Sequence, residues 1–202
     1  SVVGVIELNE SDYLLATRRG QIKRVAADYP AKDSFEVISL KDDDSVVAAS
    51  PVSDSDEIVI VTSDAQLLRF KADTVRAQGR AASGVAGINL SAGAQVIFAS
   101  AVATTDETLV LTAANSPASI PGTDPGSAKL SAITEFPPKG RATGGVRAQR
   151  FIRDEGQLYF AWVGAGVPKA LTPDGKPVNL PTDLAKRDAS GSRLDSVIGS
   201  VG

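Results

Sequence analysis

Cysteine, histidine and methionine are all missing from the 202 residues, and aromatic side chains make up only 5%. Without Cys there is no disulfide and no thiolate metal site. Without His the ordinary neutral-pH proton shuttle and the commonest zinc ligand are gone. The carboxylates do not fill that gap. Asp42-Asp43-Asp44 reads as a polar turn between strands, because no closing Glu stands at calcium-loop spacing. Thr17-Arg18-Arg19-Gly20 lacks the Gly-Lys-Ser/Thr ending of a phosphate loop and precedes strand-like sequence rather than a helix. No catalytic residue, metal or cofactor is expected in this chain. No apolar run approaches the ~18 residues that cross a bilayer, and Ser1-Val2-Val3 has no basic signal-peptide flank. The expectation is a cytoplasmic location without membrane contact. A chain that lacks an initiator Met and opens inside a strand-like phrase is expected to be a piece of something longer.

What is present is repetition. One phrase occurs five times: Ser1-Val2-Val3-Gly4-Val5-Ile6, Ser45-Val46-Val47-Ala48-Ala49-Ser50, Gln95-Val96-Ile97-Phe98-Ala99-Ser100, Gln157-Leu158-Tyr159-Phe160-Ala161-Trp162 and Ser196-Val197-Ile198-Gly199-Ser200-Val201. Between the copies, an apolar run, a turn residue and a second run recur four times, with the turn at Gly20, Ala65, Asn115 and Gly175. Runs of five or six residues rich in Val and Ile, such as Glu57-Ile58-Val59-Ile60-Val61-Thr62, read as strands. Gly and Asn suit a positive-φ turn, whereas Ala65 does not. The returning strands are Gln21-Ile22-Lys23-Arg24-Val25, Gln66-Leu67-Leu68-Arg69-Phe70, Ser116-Pro117-Ala118-Ser119-Ile120 and Lys176-Pro177-Val178-Asn179-Leu180. Pro in the last two implies edge placement. Pro121-Gly122-Thr123-Asp124-Pro125-Gly126-Ser127 reads as a loop insertion.

Short strands repeating every 45 to 60 residues mean a radial or stacked β-architecture. The expected fold is all-β: one propeller-like domain, 1–202, of about four four-stranded blades that share strands. Residues 9–50, 51–100, 101–162 and 163–202 are the expected blades, and 1–8 is a strand left over from a preceding one. Acidic links such as Asn9-Glu10-Ser11-Asp12 join them.

Each unit also holds a small-residue segment with a basic side chain in one register: Lys32, Arg80, Arg141 and Arg187. Here the pattern meets a known family. The stretches at 14–25, 76–90 and 139–151, which keep hairpin, turn and Gly-Arg segment in the same order, resemble the C-terminal domain of bacterial type IIA topoisomerase A subunits, those of gyrase and topoisomerase IV. The resemblance covers essentially the whole chain. It implies a β-pinwheel whose blades exchange strands, and a non-catalytic role in binding and bending duplex DNA. Partners would be the ATPase subunit of the enzyme and the other domains of the A protein. Gyrase A subunits carry a Gln-Arg-Arg-Gly-Gly-Lys-Gly box in their first blade. The corresponding register, Gln78-Gly79-Arg80-Ala81-Ala82-Ser83-Gly84, keeps the Gln, one Arg and the last Gly.

DNA carries dense negative charge, so cations at a fixed interval can follow its backbone. Lys32, Arg80, Arg141 and Arg187 form the first candidate set; the alternative is that each braces its own Gly-rich loop. Hairpin cations come second: Arg18, Arg19, Lys23, Arg24, Arg69 and Lys71. Ser119 and Asn179 occupy the Arg24 position in the later units, so this footprint is expected to weaken along the chain. Arg76, Lys139, Arg147 and Arg150 are supporting candidates. Nothing offers a recognition helix, so base-specific reading is not expected. A net charge of −3 keeps a rival open: a propeller scaffold that binds protein and no DNA.

Overall fold

The apolar runs become the middle strands of four antiparallel sheets. The computed structural model describes residues 2–7, 11–41 and 43–202. Ser1 and Leu8 of the expected leading strand, Asn9 and Glu10 of the first acidic link, and Asp42 of the acidic triplet lie outside the described residues. In chain order the strands are β1 (Tyr13–Thr17), β2 (Gln21–Val25), β3 (Val46–Pro51), β4 (Glu57–Thr62), β5 (Gln66–Lys71), β6 (Val85–Ala86), β7 (Val96–Val102) and β8 (Thr108–Asn115). They continue with β9 (Ser127–Ala132), β10 (Val146–Arg147), β11 (Gln157–Ala165), β12 (Ala170–Leu171), β13 (Pro177–Val178), β14 (Ser192–Arg193) and β15 (Ser200–Val201). The only helical pieces among the described residues are two single 3-10 turns, Ala72–Thr74 and Ile133–Glu135.

The sheets have the orders β3-β1-β2-β6, β10-β5-β4-β7, β11-β8-β9-β14 and β13-β12-β15. The first three each take their outermost strand from further along the chain. β6 follows β5 in sequence yet pairs with β2; β10 pairs with β5 and β14 with β9 in the same register. Strand sharing is present as expected, but two-residue strands inside the Gly-Arg segments carry it, not the terminal phrase. Residues 2–7 join no ladder and run beside β3, where a Cβ on Gly4 would stand 2.9 Å from the Ala49 carbonyl. The fourth sheet has three strands rather than four among the described residues.

β4 explains why a strand here can be apolar throughout. Its Ile58 and Ile60 pack with Leu14, Ile22 and Ile88 toward the first sheet. Val59 and Val61 point the other way, packing with Val110, Ile133 and Phe136 toward the third. A strand buried on both faces shows no polar alternation. Leu111, Ala128 and Leu130 continue the stack onto Ala170, Val178 and Ile198 of the fourth sheet. The sheets are thus layered in chain order, with an apolar cluster between each neighbouring pair. β3 packs on β7 and β7 on β11, so the recurrent phrase forms the inner edges. β6, β10 and β14 lie at the opposite edge of their sheets.

Two turn assignments change. Asn115 is the last residue of β8, and Ser116-Pro117-Ala118-Ser119-Ile120 is loop rather than strand. The true return strand is β9, so the insertion lies inside the hairpin. Gly126 at φ +60 is the turn residue, because Gly20 and Ala65 also precede their return strands directly, at φ +84 and +60, and Gly175 at φ +83 stands two residues before β13. Pro117 imitated a strand start; Asp124 explains the loop. Its carboxylate accepts from the Ser116 and Gly126 amides and the Ser119 hydroxyl, bonds that hold it below the usual carboxylate range. Ala65 adopts the left-handed conformation after all. Its carbonyl accepts from Ala148 N at 2.7 Å, so the exchanged segment helps hold it there.

Candidate nucleic-acid interface

The hairpin cations are largely consumed by the fold. Lys23 is fully buried, and its three ammonium protons meet the carbonyls of Val37, Arg80 and Ala82 at 2.8, 2.7 and 2.7 Å. Arg24 bonds Asp12 and Asp54, each at 2.6 Å. Arg69 spans the Glu57 carboxylate at 2.6 Å and the Phe136 carbonyl at 2.5 Å. Lys71 is exposed but 3.9 Å from Glu57, and Arg19 stands 3.8 Å from Asp43. Of the hairpin set, Arg18 alone is exposed without a carboxylate partner among the described residues. In the third sheet the register position of Arg24 is occupied by Leu130, not Ser119.

Glu57 also accepts from Thr104 at 2.8 Å and is only 4% exposed. Breaking a buried pair strands the remaining charge. Arg69→Met is therefore expected to cost about 3 kcal/mol in urea unfolding; an unchanged midpoint would mean that the pair adds nothing to the fold.

The Gly-Arg segments behave differently. Gly84, Gly145 and Gly191 immediately precede the exchanged strands, so Arg80, Arg141 and Arg187, each four residues earlier, are equivalent by register. The Arg80 guanidinium lies 5.9 Å from the centre of the Phe35 ring. Arg141 is exposed and donates to the Ala86 carbonyl at 2.5 Å, bracing a loop while its head stays at the surface. Lys32 is exposed on a segment that joins no ladder and has no exchanged strand after it, so it lies outside that register. Arg76, Lys139, Arg147 and Arg150 are exposed as well, without carboxylate partners among the described residues.

Successive segments touch. Ala142 N donates to the Gly87 carbonyl at 2.8 Å and Asn89 N to Thr143 at 3.0 Å. Arg150 N donates to Ala189 at 3.0 Å, and its Nε reaches Ser190 at 3.3 Å. The outer edges of three sheets therefore form one continuous strip. The stretch 136–153 carries Lys139, Arg141, Arg147, Arg150 and Arg153 and no acidic residue, in a chain of net charge −3. Arg193 on β14 matches Arg147 on β10, and both are exposed. Arg153, Lys186 and Arg193 are not among the residues expected from sequence; the phrase shared by Gly145-Val146-Arg147 and Gly191-Ser192-Arg193 was the signal for the last. Exposed cations are densest in the middle segment, at Lys139, Arg141, Arg147, Arg150 and Arg153, while Arg80 and Arg187 in the flanking segments are half-buried and Ala86 stands where Arg147 and Arg193 follow. Among the described residues no group of three or more carboxylates could hold a metal.

A second buried lysine occupies the Lys23 register in the third sheet. Lys129 donates to the Lys186 carbonyl at 2.9 Å and to the Arg187 carbonyl. Burial pulls its ammonium down to about 8, with Arg187 adding to the fall while Asp188 and Glu135 oppose it. An unfolded lysine keeps its proton to about 10.5, so between these values the unfolded state binds more protons and stability rises with pH. Between pH 7.5 and 9.5 this group is expected to add about 2 kcal/mol. Urea unfolding of Lys129→Met beside the parent protein checks it, since the variant should lack that rise.

Comparison with known proteins places this architecture. The family described as "DNA gyrase C-terminal domain, beta-propeller" matches residues 11–28, 36–53, 56–103 and 122–154. The DNA gyrase A protein of Streptomyces coelicolor is 32% identical over 160 residues, covering 74% of this chain and 17% of that protein. Its Klebsiella oxytoca counterpart is 32% identical over 165 residues, covering 80% and 18%. The chain thus spans under a fifth of the length of these relatives. Its fold is similar to the C-terminal domain of a DNA topoisomerase IV, with TM-score 0.81 at 21% identity over 98% of this chain and 63% of that one. It is also similar to a DNA gyrase A C-terminal domain, with TM-score 0.75 at 20% identity over 96% and 66%. The matched segments include the first two hairpins and two of the exchanged strands, and the chain belongs to the DNA gyrase C-terminal domain family of β-propeller-like modules.

Proposed function

We propose that this chain is the non-catalytic DNA-binding and DNA-bending module of the gyrase-type A protein of an ATP-dependent type IIA topoisomerase. It contacts phosphates along the strip formed by the exchanged strands. The observation that carries this reading is the continuity of that strip. Segments 79–89, 139–150 and 186–193 touch one another and present Arg80, Arg141, Arg147, Arg150, Arg187 and Arg193 at the outer sheet edges. Lys139 lies within it, and Lys32 and Arg76 are further candidates. Residues 136–153 hold no acidic residue, whereas Glu36 lines the same pocket as Arg80 and Asp188 lies within 186–193, so the middle segment is where the negative net charge opposes binding least. Because the cations sit at the edges of successive stacked sheets, a duplex meeting all of them follows a curve. Contacts of this kind read charge and deformability rather than base sequence. Strand cleavage and ATP hydrolysis belong to other domains of the A protein and to its ATPase partner, in the bacterial cytoplasm at the nucleoid. The test is a salt titration with duplexes of unrelated sequence. Six phosphate contacts correspond to a slope of log K against log salt of about −5, the same for every sequence. A flat dependence, or no complex at 50 mM salt, would support the protein-scaffold alternative.

A further inference from the structure

We infer that Lys23 and Lys129 are positioning residues for the DNA-facing strip: each holds the backbone of the exchanged loop that carries Arg80 or Arg187. The inference rests on the DNA-binding reading above and deepens it. β6 and β14 pair in equivalent registers with β2 and β9, and in both cases the lysine follows the residue paired with the first residue of the exchanged strand. Neither lysine is a surface group, at 0% and 3% exposure, so neither reaches a phosphate itself. Neither has a carboxylate hydrogen-bond partner among the described residues. Both spend their protons on main-chain carbonyls of the loop: Arg80 and Ala82 for Lys23, Lys186 and Arg187 for Lys129.

Two of those carbonyls belong to the very arginines in the shared register. An ammonium has three directed donors and no acceptor, so three carbonyls at 2.7 and 2.8 Å saturate Lys23 and fix the loop against the sheet. Lys23 adds the Val37 carbonyl, tying the loop also to the segment that bears Phe35, over which Arg80 lies. The second sheet has Leu68 at this register, packed in the apolar cluster. There Arg141 fastens its own loop instead, through the Ala86 carbonyl. Every exchanged loop is thus tied down at its arginine, twice by a buried lysine and once by the arginine itself. A strip without such ties would present guanidinium groups on loops of small residues, free to move away from the spacing of the phosphates.

A double-mutant cycle tests it. Arg187→Ala should make the salt slope shallower by about 0.9. Lys129→Met should produce a similar loss of duplex affinity, and in the Arg187→Ala background it should produce almost none. Amide hydrogen exchange in 186–190 should rise at least tenfold in Lys129→Met, with or without DNA. Additive losses, or unchanged exchange, would overturn the inference. If Arg187→Ala has no effect on binding while Lys129→Met still frees the loop, the positioning stands and the DNA reading of this arginine falls. Should Lys129→Met fail to fold, the Lys23→Met and Arg80→Ala cycle reads the same quantities at 79–83.

Discussion

Reversing charge at Arg141, Arg147 and Arg150 together is expected to weaken duplex binding by two to three orders of magnitude at 0.1 M salt. Each phosphate contact releases roughly 0.9 counterion, which at that concentration is worth about eightfold, so three contacts multiply to about 500-fold before repulsion is added. The salt slope should become shallower by about 2.7 units. Folding should survive, because all three side chains are exposed and none pairs with a carboxylate among the described residues. The side-chain bonds lost are those of Arg141 to the Ala86 carbonyl and of Arg150 to the Ser190 hydroxyl, about 1 kcal/mol each. Electrophoretic mobility shift across a salt series, with circular dichroism of the variant, reads both expectations. An affinity change under threefold would remove this middle stretch of the strip from the DNA path.

Gly145→Ala is expected to be strongly destabilising. A Cβ there would stand 2.5 Å from the Leu67 carbonyl oxygen and 2.8 Å from its carbon, and φ is +73. The left-handed conformation alone costs a non-glycine residue about 1–2 kcal/mol. Leu67 cannot retreat, since β5 lies between β4 and β10 and Leu67 is 1% exposed. The exchanged strand must leave instead, with a total loss of about 3 kcal/mol or more. For a chain of about 200 residues that corresponds to a fall in Tm of about 6–12 °C. Its neighbour is the control. A Cβ on Gly144 meets nothing nearer than the Asn89 carbonyl at 3.8 Å, so Gly144→Ala should be close to neutral. Equal effects at the two positions would mean that β10 contributes little to holding the sheets together. Gly145→Ala should also weaken DNA binding, because Arg147 rides on the displaced strand.

The hairpins were legible in the sequence because burial on both faces leaves runs such as Ile58-Val59-Ile60-Val61 with nothing polar to interrupt them. The exchanged strands were not legible as strands, because β6, β10 and β14 are two residues long and carry no periodicity. Their Gly-Arg phrase marked the place without marking the pairing. The same gap misdirected the basic residues. A lysine in Gln21-Ile22-Lys23-Arg24-Val25 reads as solvent-facing only if the sheet edge beyond it is open, and here an exchanged loop covers it. Arg24 and Arg69 likewise pair with acids twelve residues back, in the links that looked like solvated spacers or at a strand start. Asn115 and Pro117 carry ordinary turn chemistry, and only the ladder between β8 and β9 places the turn at Gly126 instead. The register Arg80, Arg141 and Arg187 was visible beforehand, because it needs only a constant offset from a glycine.

Hydrogen exchange of the chain bound to a 40-base-pair duplex addresses the central claim most directly, since it asks where the DNA lies. The account predicts protection in three blocks, 79–89, 139–150 and 186–193, with the inner-edge strands β3, β7 and β11 unchanged. Protection confined to the acidic segment 31–44, or to the apolar groove lined by Val167, Leu171 and Pro177 on the fourth sheet, would contradict it.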